Sequence, residues 1–111
     1  IKNLNVLEFT VAPQINSKNG LPFHEWWIEL DSHEIELKEI EEILDQKMQE
    51  RNIYYKDLIK GKILKNLEIR CVKKGGFNKY MKSLGKFGGQ NKVPKLSNNR
   101  NFVEGLENYT K

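Results

Sequence analysis

The sequence predicts an α+β fold in which a small antiparallel or mixed β-sheet of three to four strands is covered by helices. Three observations carry this. Residues 4–12 and 23–30 are strand-forming stretches, and the second alternates His24, Trp26, Ile28 and Leu30 against Phe23, Glu25, Trp27 and Glu29. At Asp31 the period changes, and Leu37, Ile40, Ile43, Leu44 and Met48 recur at helical spacing. The remainder reads as short helices around a third strand. The resulting order, β-β-α-α-β-α-loop-α in 111 residues, fits one domain with the helices on one face of the sheet.

Each element has a local cause. In the first strand Leu7, Phe9 and Val11 share a face, and Pro13 with the polar run at 16–20 predicts a loop that turns at Asn19-Gly20. The two strands are expected to pair as an antiparallel hairpin with a longish loop. Asp31-Ser32-His33 leads into a helix over 35–51, whose acidic start suits the helix dipole. Asn52 interrupts it, and 53–59 forms a short helix closed by Gly61. A third strand spans about 66–72. Gly75-Gly76 opens a short helix carrying Phe77, Tyr80, Met81 and Leu84, which Gly85 ends. Ser97-Asn98 is suited to cap a last helix with Phe102, Val103 and Leu106 on one side, and a short fourth strand is placed near Val93.

Composition excludes several classes. With 38% hydrophobic and 31% charged residues the chain is a soluble globular mixture rather than a disordered one. No apolar run approaches the roughly 20 residues needed to span a bilayer. The start, Ile1-Lys2-Asn3-Leu4, has neither an initiator Met nor a signal-peptide pattern, which predicts a piece of a larger protein. Cys71 is the only cysteine. It cannot form an internal disulfide, it packs as a strand residue on the face of Leu67 and Ile69, and no Cys/His set has zinc-site spacing. A reducing, cytoplasmic setting and no metal site follow as expectations.

Charge is unevenly placed. Residues 1–72 carry 10 Lys/Arg against 13 Asp/Glu, net −3, whereas residues 73–111 carry 9 against 2, net +7. A basic C-terminal third can face nucleic acid, phosphates or an acidic neighbouring domain, and charge alone does not choose among them.

The stretch with most chemistry is 85–100, Gly-Lys-Phe-Gly-Gly-Gln-Asn-Lys-Val-Pro-Lys-Leu-Ser-Asn-Asn-Arg. Its glycines let a backbone pass close to a ligand, and two lysines flank Pro94, which biases Val93 toward an extended shape. A lysine on such a loop is a point charge for phosphate or carboxylate. The spacing is not that of a P-loop. Taken by itself the stretch reads either as a connector or as a ligand loop. Elsewhere, Glu25 and Glu29 share a strand face, where a solvated surface explains them better than acid–base work; His24 reads as structural and His33 as a pre-helix residue. Tyr54 and Tyr55 read as packing residues. Trp26 and Trp27 point to opposite faces, so one is expected to stay partly exposed unless another domain covers it.

Gly88-Gly89-Gln90-Asn91-Lys92-Val93-Pro94-Lys95-Leu96-Ser97-Asn98-Asn99-Arg100 resembles the closing motif of bacterial-type relatives of the auxin-responsive promoter (Gretchen Hagen) family of acyl-acid-amido synthetases. It is more loosely similar to the Gln-x-Lys-x-Pro segment of the plant enzymes. His24-Glu25-Trp26-Trp27-Ile28-Glu29, Asn52-Ile53-Tyr54-Tyr55 with Leu58, and Phe77-Asn78-Lys79-Tyr80 match further family segments in the right order. Lys95 departs from the pattern, since the family more often has arginine there, and a lysine loses the bidentate fork.

The resemblance implies a member of the adenylate-forming superfamily, which activates a carboxylic acid with ATP and Mg²⁺ and then transfers the acyl group to an amine or amino acid. It further implies a mobile C-terminal domain that serves a large N-terminal domain absent here. Lys92 is implied as the phosphate-side lysine, with Gly88, Gly89, Gln90 and Lys95 around the nucleotide. ATP and Mg²⁺ are expected to bind mainly on the large domain, and the isolated piece is not expected to be active. The competing readings are a small basic nucleic-acid-binding module, which lacks an aromatic-rich RNA-recognition signature, and a protein-interaction domain without chemistry.

Overall fold

The computed structural model describes residues 6–15, 20–31, 36–86 and 92–111. Its elements are β1 (Val6–Gln14), β2 (Phe23–Leu30), α1 (Leu37–Arg51), α2 (Ile53–Lys60), β3 (Lys65–Val72), α3 (Gly76–Ser83), α4 (Asn101–Leu106) and a 3₁₀ turn at Glu107–Tyr109. The predicted order of elements is the observed one.

The sheet is mixed, in the order β1-β2-β3. The hairpin pairs β1 and β2 antiparallel, from Gln14 opposite Phe23 to Val6 opposite Leu30, with a register shift between Val6 and Glu8. β3 runs parallel to β2, with Trp26 opposite Ile69 and Glu29 opposite Val72. The parallel pairing follows from the connection: α1 and α2 carry the chain back past β2 before β3 begins. β1 runs two residues beyond the predicted end, through Pro13. An edge strand accepts a proline because an N–H on its outer side has no strand to bond.

Helices cover both faces of the sheet rather than one. On one face Trp26, Ile28, Leu30, Leu67 and Ile69 meet α1, where Ile40 is buried and Leu37, Leu44 and Met48 pack alongside. Those are the helix residues that the 3.6 period selected. On the other face Ala12, Trp27 and Val72 pack against Phe77, Tyr80 and Met81 of α3, Val103 and Leu106 of α4, and Val93. The reason is the pleat. Trp26 and Trp27 are adjacent, so a strand with a tryptophan on each side needs cover on each side. Trp27 is fully buried, while half-buried Trp26 stacks on Phe9 at 5.6 Å between ring centroids.

Both sheet edges are closed by other parts of the chain. On the outer side of β3 the Leu67 N–H donates to Asp45 Oδ1 at 3.1 Å and the Ile69 N–H to Glu41 Oε2 at 2.7 Å. Further along, Lys111 N–H donates to the Cys71 carbonyl and Lys73 N–H to that of Tyr109. Along β1, Val11 N–H donates to the Lys95 carbonyl at 2.9 Å and Val11 O accepts from Ser97 N–H at 3.0 Å. This last pairing is a single bridge at Leu96, not the strand placed near Val93. The pairing does not extend back to Phe9, whose N–H donates to the Glu8 side chain at 3.0 Å instead.

Helix boundaries have visible causes. Asn52 ends α1 and begins α2, its side chain accepting from Tyr55 N–H at 3.2 Å. Gly75 opens α3 at φ 77°, a conformation that favours glycine. The last helix starts at Asn101 without a side-chain cap, not at Ser97-Asn98; the Ser97 N–H is spent on Val11, and Asn99 Oδ1 accepts from Asn101 N–H at 2.9 Å. Three side chains differ from expectation. Leu84 is exposed just past the end of α3, Tyr54 is 71% exposed while Tyr55 is buried, and Cys71 is half-buried rather than buried.

α3 and α4 meet at Gly105, where a Cβ would lie 2.5 Å from the Tyr80 hydroxyl, itself donating to the Phe102 carbonyl at 2.6 Å. Gly105→Ala is expected to cost about 1–2 kcal/mol through overpacking. Thermal melting checks this, and an unchanged transition would mean the Tyr80 ring moves freely.

Candidate functional site

The segment 92–100 lies against β1 and the start of α3, and the cleft between them measures about 480 Å³. One wall is Leu7 and Glu8 of β1, the other is Phe77, Asn78 and Met81 of α3. Lys86, Lys92 and Lys95 border it, and Glu29 reaches it from β2. The two lysines of the closing motif, Lys92 and Lys95, thus border one place, and Lys86, from outside that motif, joins them. Gly88, Gly89, Gln90 and His33 lie outside the described residues.

The segment is held from four directions. Val93 is buried in the core beside α3. The hydroxyl of Thr10, fully buried in β1, donates to the Pro94 carbonyl at 2.5 Å. Val11 makes the two main-chain bonds already described. Arg100 Nη1 donates to the Pro13 carbonyl at 3.1 Å, while its Nη2 lies 2.9 Å from Glu25 Oε1. A loop with so many fixed points presents its lysines from a defined backbone.

The two strand carboxylates are buried, 6% exposed each, and not on the solvated face expected of them. A buried carboxylate needs partners, and both have them. Glu25 sits between Arg100 and Arg70, the latter at 3.8 Å, and Arg70 lies over the Trp27 ring and pairs with Glu107 at 3.1 Å. Glu29 accepts from the N–H groups of Gly75 at 2.9 Å and Phe77 at 3.3 Å. Its negative charge therefore sits at the amino end of α3, where the helix dipole favours it. Neither is free for acid–base work. The sequence showed their shared face but could not show that helices would cover it.

The three lysines are not equivalent. Lys95 forms an ion pair with Glu8 and lies 4.6 Å from the Phe9 ring centroid. Among the described residues, Lys86 and Lys92 have no ion-pair partner, and both are exposed. The cleft therefore offers two uncommitted ammonium groups and no uncommitted carboxylate. That arrangement suits an anion. Among the described residues no three His, Cys, Asp or Glu side chains form a group that could hold a metal ion.

The other polar centre lies beneath α1. Asp45, 6% exposed, accepts from Tyr55 hydroxyl, Gln49 and Asn66 side chains, and Leu67 N–H. Burial would raise its carboxyl, but these hydrogen bonds outweigh burial and hold it below its ordinary value. Burial and the Asp45 charge push the Tyr55 hydroxyl well above its ordinary range. His24 stacks on Tyr55 at 5.8 Å, and burial lowers its imidazole. The centre ties α1, α2 and β3 together. No helix among the described residues is long and apolar enough to cross a membrane. Neither face of the sheet is open as a platform for stacking bases, since helices cover both.

A family model described as the GH3 family C-terminal domain matches residues 1–101. Two solved structures superpose on nearly the whole chain. One is titled "GH3.15 acyl acid amido synthetase", with a TM-score of 0.78 and 25% identity, covering 99% of this chain and 21% of that one. The other, titled "AtGH3.15 acyl acid amido synthetase in complex with 2,4-DB", has a TM-score of 0.76 and 23% identity with the same coverage. The chain thus spans about a fifth of the length of these structures. No curated protein matches the sequence.

Proposed function

Because this chain belongs to the GH3 family, as its C-terminal domain, we propose that it is the mobile small domain of an ATP-dependent acyl-acid-amido synthetase and that Lys92 is its phosphate-side lysine. The observation that carries the reading is Lys92 itself: an exposed, unpaired ammonium beside Pro94 on a segment pinned to β1, bordering an anion-suited cleft.

The donor set fits the phosphate end of ATP. Lys86 and Lys92 supply positive charge, whereas Glu8 and Glu29 are already engaged and leave no carboxylate for Mg²⁺. On this reading the metal and most of the nucleotide belong to a large domain outside this chain, in keeping with its covering 21% of the similar structures. ATP supplies the adenylyl group that activates a carboxylic acid, with pyrophosphate as the leaving group. As the carboxylate attacks, negative charge grows on the phosphate oxygens, and a positioned ammonium stabilises that charge most in a partly dry site. Lys92 meets this requirement when the domain closes over the nucleotide. Lys86 adds charge to the cleft lining, and Gly88, Gly89 and Gln90, which precede Lys92 in the sequence, are assigned by the same reading to nucleotide binding. Lys95 contributes less while Glu8 holds it. The amine or amino acid that receives the acyl group, and the acid itself, are chosen mainly by the large domain. A cytoplasmic location agrees with ATP as substrate and with a single free cysteine.

The test is ATP–pyrophosphate exchange. Residues 1–111 alone are expected to show none, and their binding of pyrophosphate is expected to be weak and to fade with salt. The intact protein carrying this domain is expected to exchange in the presence of its acid. Exchange by the isolated domain at the rate of the intact protein would overturn the reading.

A further inference from the structure

Thr10 has a role that the family reading does not assign. It is a β1 residue on the sheet face shared by Glu8 and Ala12, and it is wholly buried. A buried hydroxyl needs a partner, and this one donates to the Pro94 carbonyl at 2.5 Å. Pro94 stands between Lys92 and Lys95.

The fixed points of the segment differ in what they control. The bonds from Val11 to Lys95 O and Ser97 N–H are main-chain contacts on the C-terminal side of Pro94. Arg100 is held further along, by Pro13 O and Glu25. Nearest to Lys92, two contacts among the described residues hold the chain: the buried Val93 side chain and the Thr10–Pro94 bond. Val93 contributes apolar burial, which is non-directional. The hydroxyl supplies direction, because a hydrogen bond weakens steeply when its angle opens. The Pro94 carbonyl belongs to the peptide unit shared with Lys95, so the hydroxyl anchors the proline from its C-terminal side; because the ring locks φ, the anchored proline passes that placement to Val93 and so limits where the Lys92 ammonium lies.

We propose that Thr10 is a positioning residue for Lys92: its buried hydroxyl, through the Pro94 carbonyl, aims the lysine at the reacting phosphate. This rests on the reading of Lys92 as the phosphate-side lysine. Misplacement by about 1 Å can cost on the order of 10²-fold in rate. A displaced lysine that still reaches the site part of the time loses less.

The test uses the intact protein, measuring single-turnover acyl-adenylate formation at saturating ATP beside melting curves. Thr10→Val keeps the shape and removes the donor, and Thr10→Ala is a second hydroxyl-free variant without the added apolar methyl. Both are expected to lose about 10- to 100-fold, while Thr10→Ser retains the donor and stays close to the parent rate. In the Lys92→Ala background Thr10→Val is expected to cause no further loss, since its whole effect passes through that lysine. Full, independent losses in the double variant, or equal rates for the Ser and Val variants, overturn the inference. A Lys92→Ala protein with undiminished rate overturns the functional reading and this inference together. A Lys92→Ala defect beside an unimpaired Thr10→Val protein overturns this inference alone.

Discussion

Lys92→Ala in the intact protein is expected to slow acyl-adenylate formation by about 10²–10³-fold, roughly 3–4 kcal/mol of lost transition-state stabilisation. The melting temperature is expected to stay put, because an exposed side chain without an ion-pair partner shifts stability by less than about 0.5 kcal/mol. Lys95→Ala should cost less in rate, since its ammonium is already shared with Glu8 and the Phe9 ring. Lys86 borders the same cleft, so it cannot serve as a neutral control for lost positive charge. Lys82, exposed on α3 and away from the cleft lining, can. Single-turnover adenylation of the Lys92, Lys95 and Lys82 variants decides the matter. Equal small losses would indicate a diffuse basic patch. A Lys92 defect that tracks a fall in melting temperature would indicate a structural role.

Much of the architecture was legible because it is local. The alternation through 23–30 defines β2 to the residue, and the Leu37–Ile40–Leu44–Met48 spacing selects the face of α1 that packs on the sheet. Family motifs then singled out Lys92 and Lys95, which border the cleft. What escaped was non-local. Nothing near Glu25 or Glu29 in the chain announces that Arg100 and the amino end of α3 will bury them, because those partners are distant in sequence and arrive only with the tertiary fold. Thr10 is inconspicuous for the same reason: a threonine in a strand is ordinary, and its partner Pro94 lies far along the chain. The tryptophan pair held an unread sign. Adjacent tryptophans on opposite faces imply cover on both faces, yet the expectation placed the helices on one. Pro13 misled about the end of β1 because proline excludes central strands but not edges.

Asp45→Ala is expected to be the most destabilising single change outside the apolar core, about 3 kcal/mol. The carboxylate accepts from Tyr55, Gln49, Asn66 and Leu67 N–H. Gln49 and Asn66 reach solvent and can rebond to water; the Tyr55 hydroxyl and Leu67 N–H are buried and keep only each other, at 3.2 Å. Losing charge-assisted bonds worth roughly 1.5–3 kcal/mol each, and leaving one buried donor short, gives the estimate. For a domain of this size the melting temperature should fall by more than about 10 °C. The pH dependence separates the charge from the packing. The folded carboxyl titrates below its ordinary value, so its contribution is complete above the unfolded pKa and disappears as pH falls through the folded one. Tyr55 acts at the other end: its folded value is raised, so its share is complete below the ordinary phenol range and declines as pH climbs above it. Denaturant melts of the isolated domain should therefore show an acid limb that Asp45→Asn flattens, because the amide cannot titrate. An alkaline limb should be flattened by Tyr55→Phe. An acid limb of full size in the Asn variant would assign the acid sensitivity to groups other than Asp45.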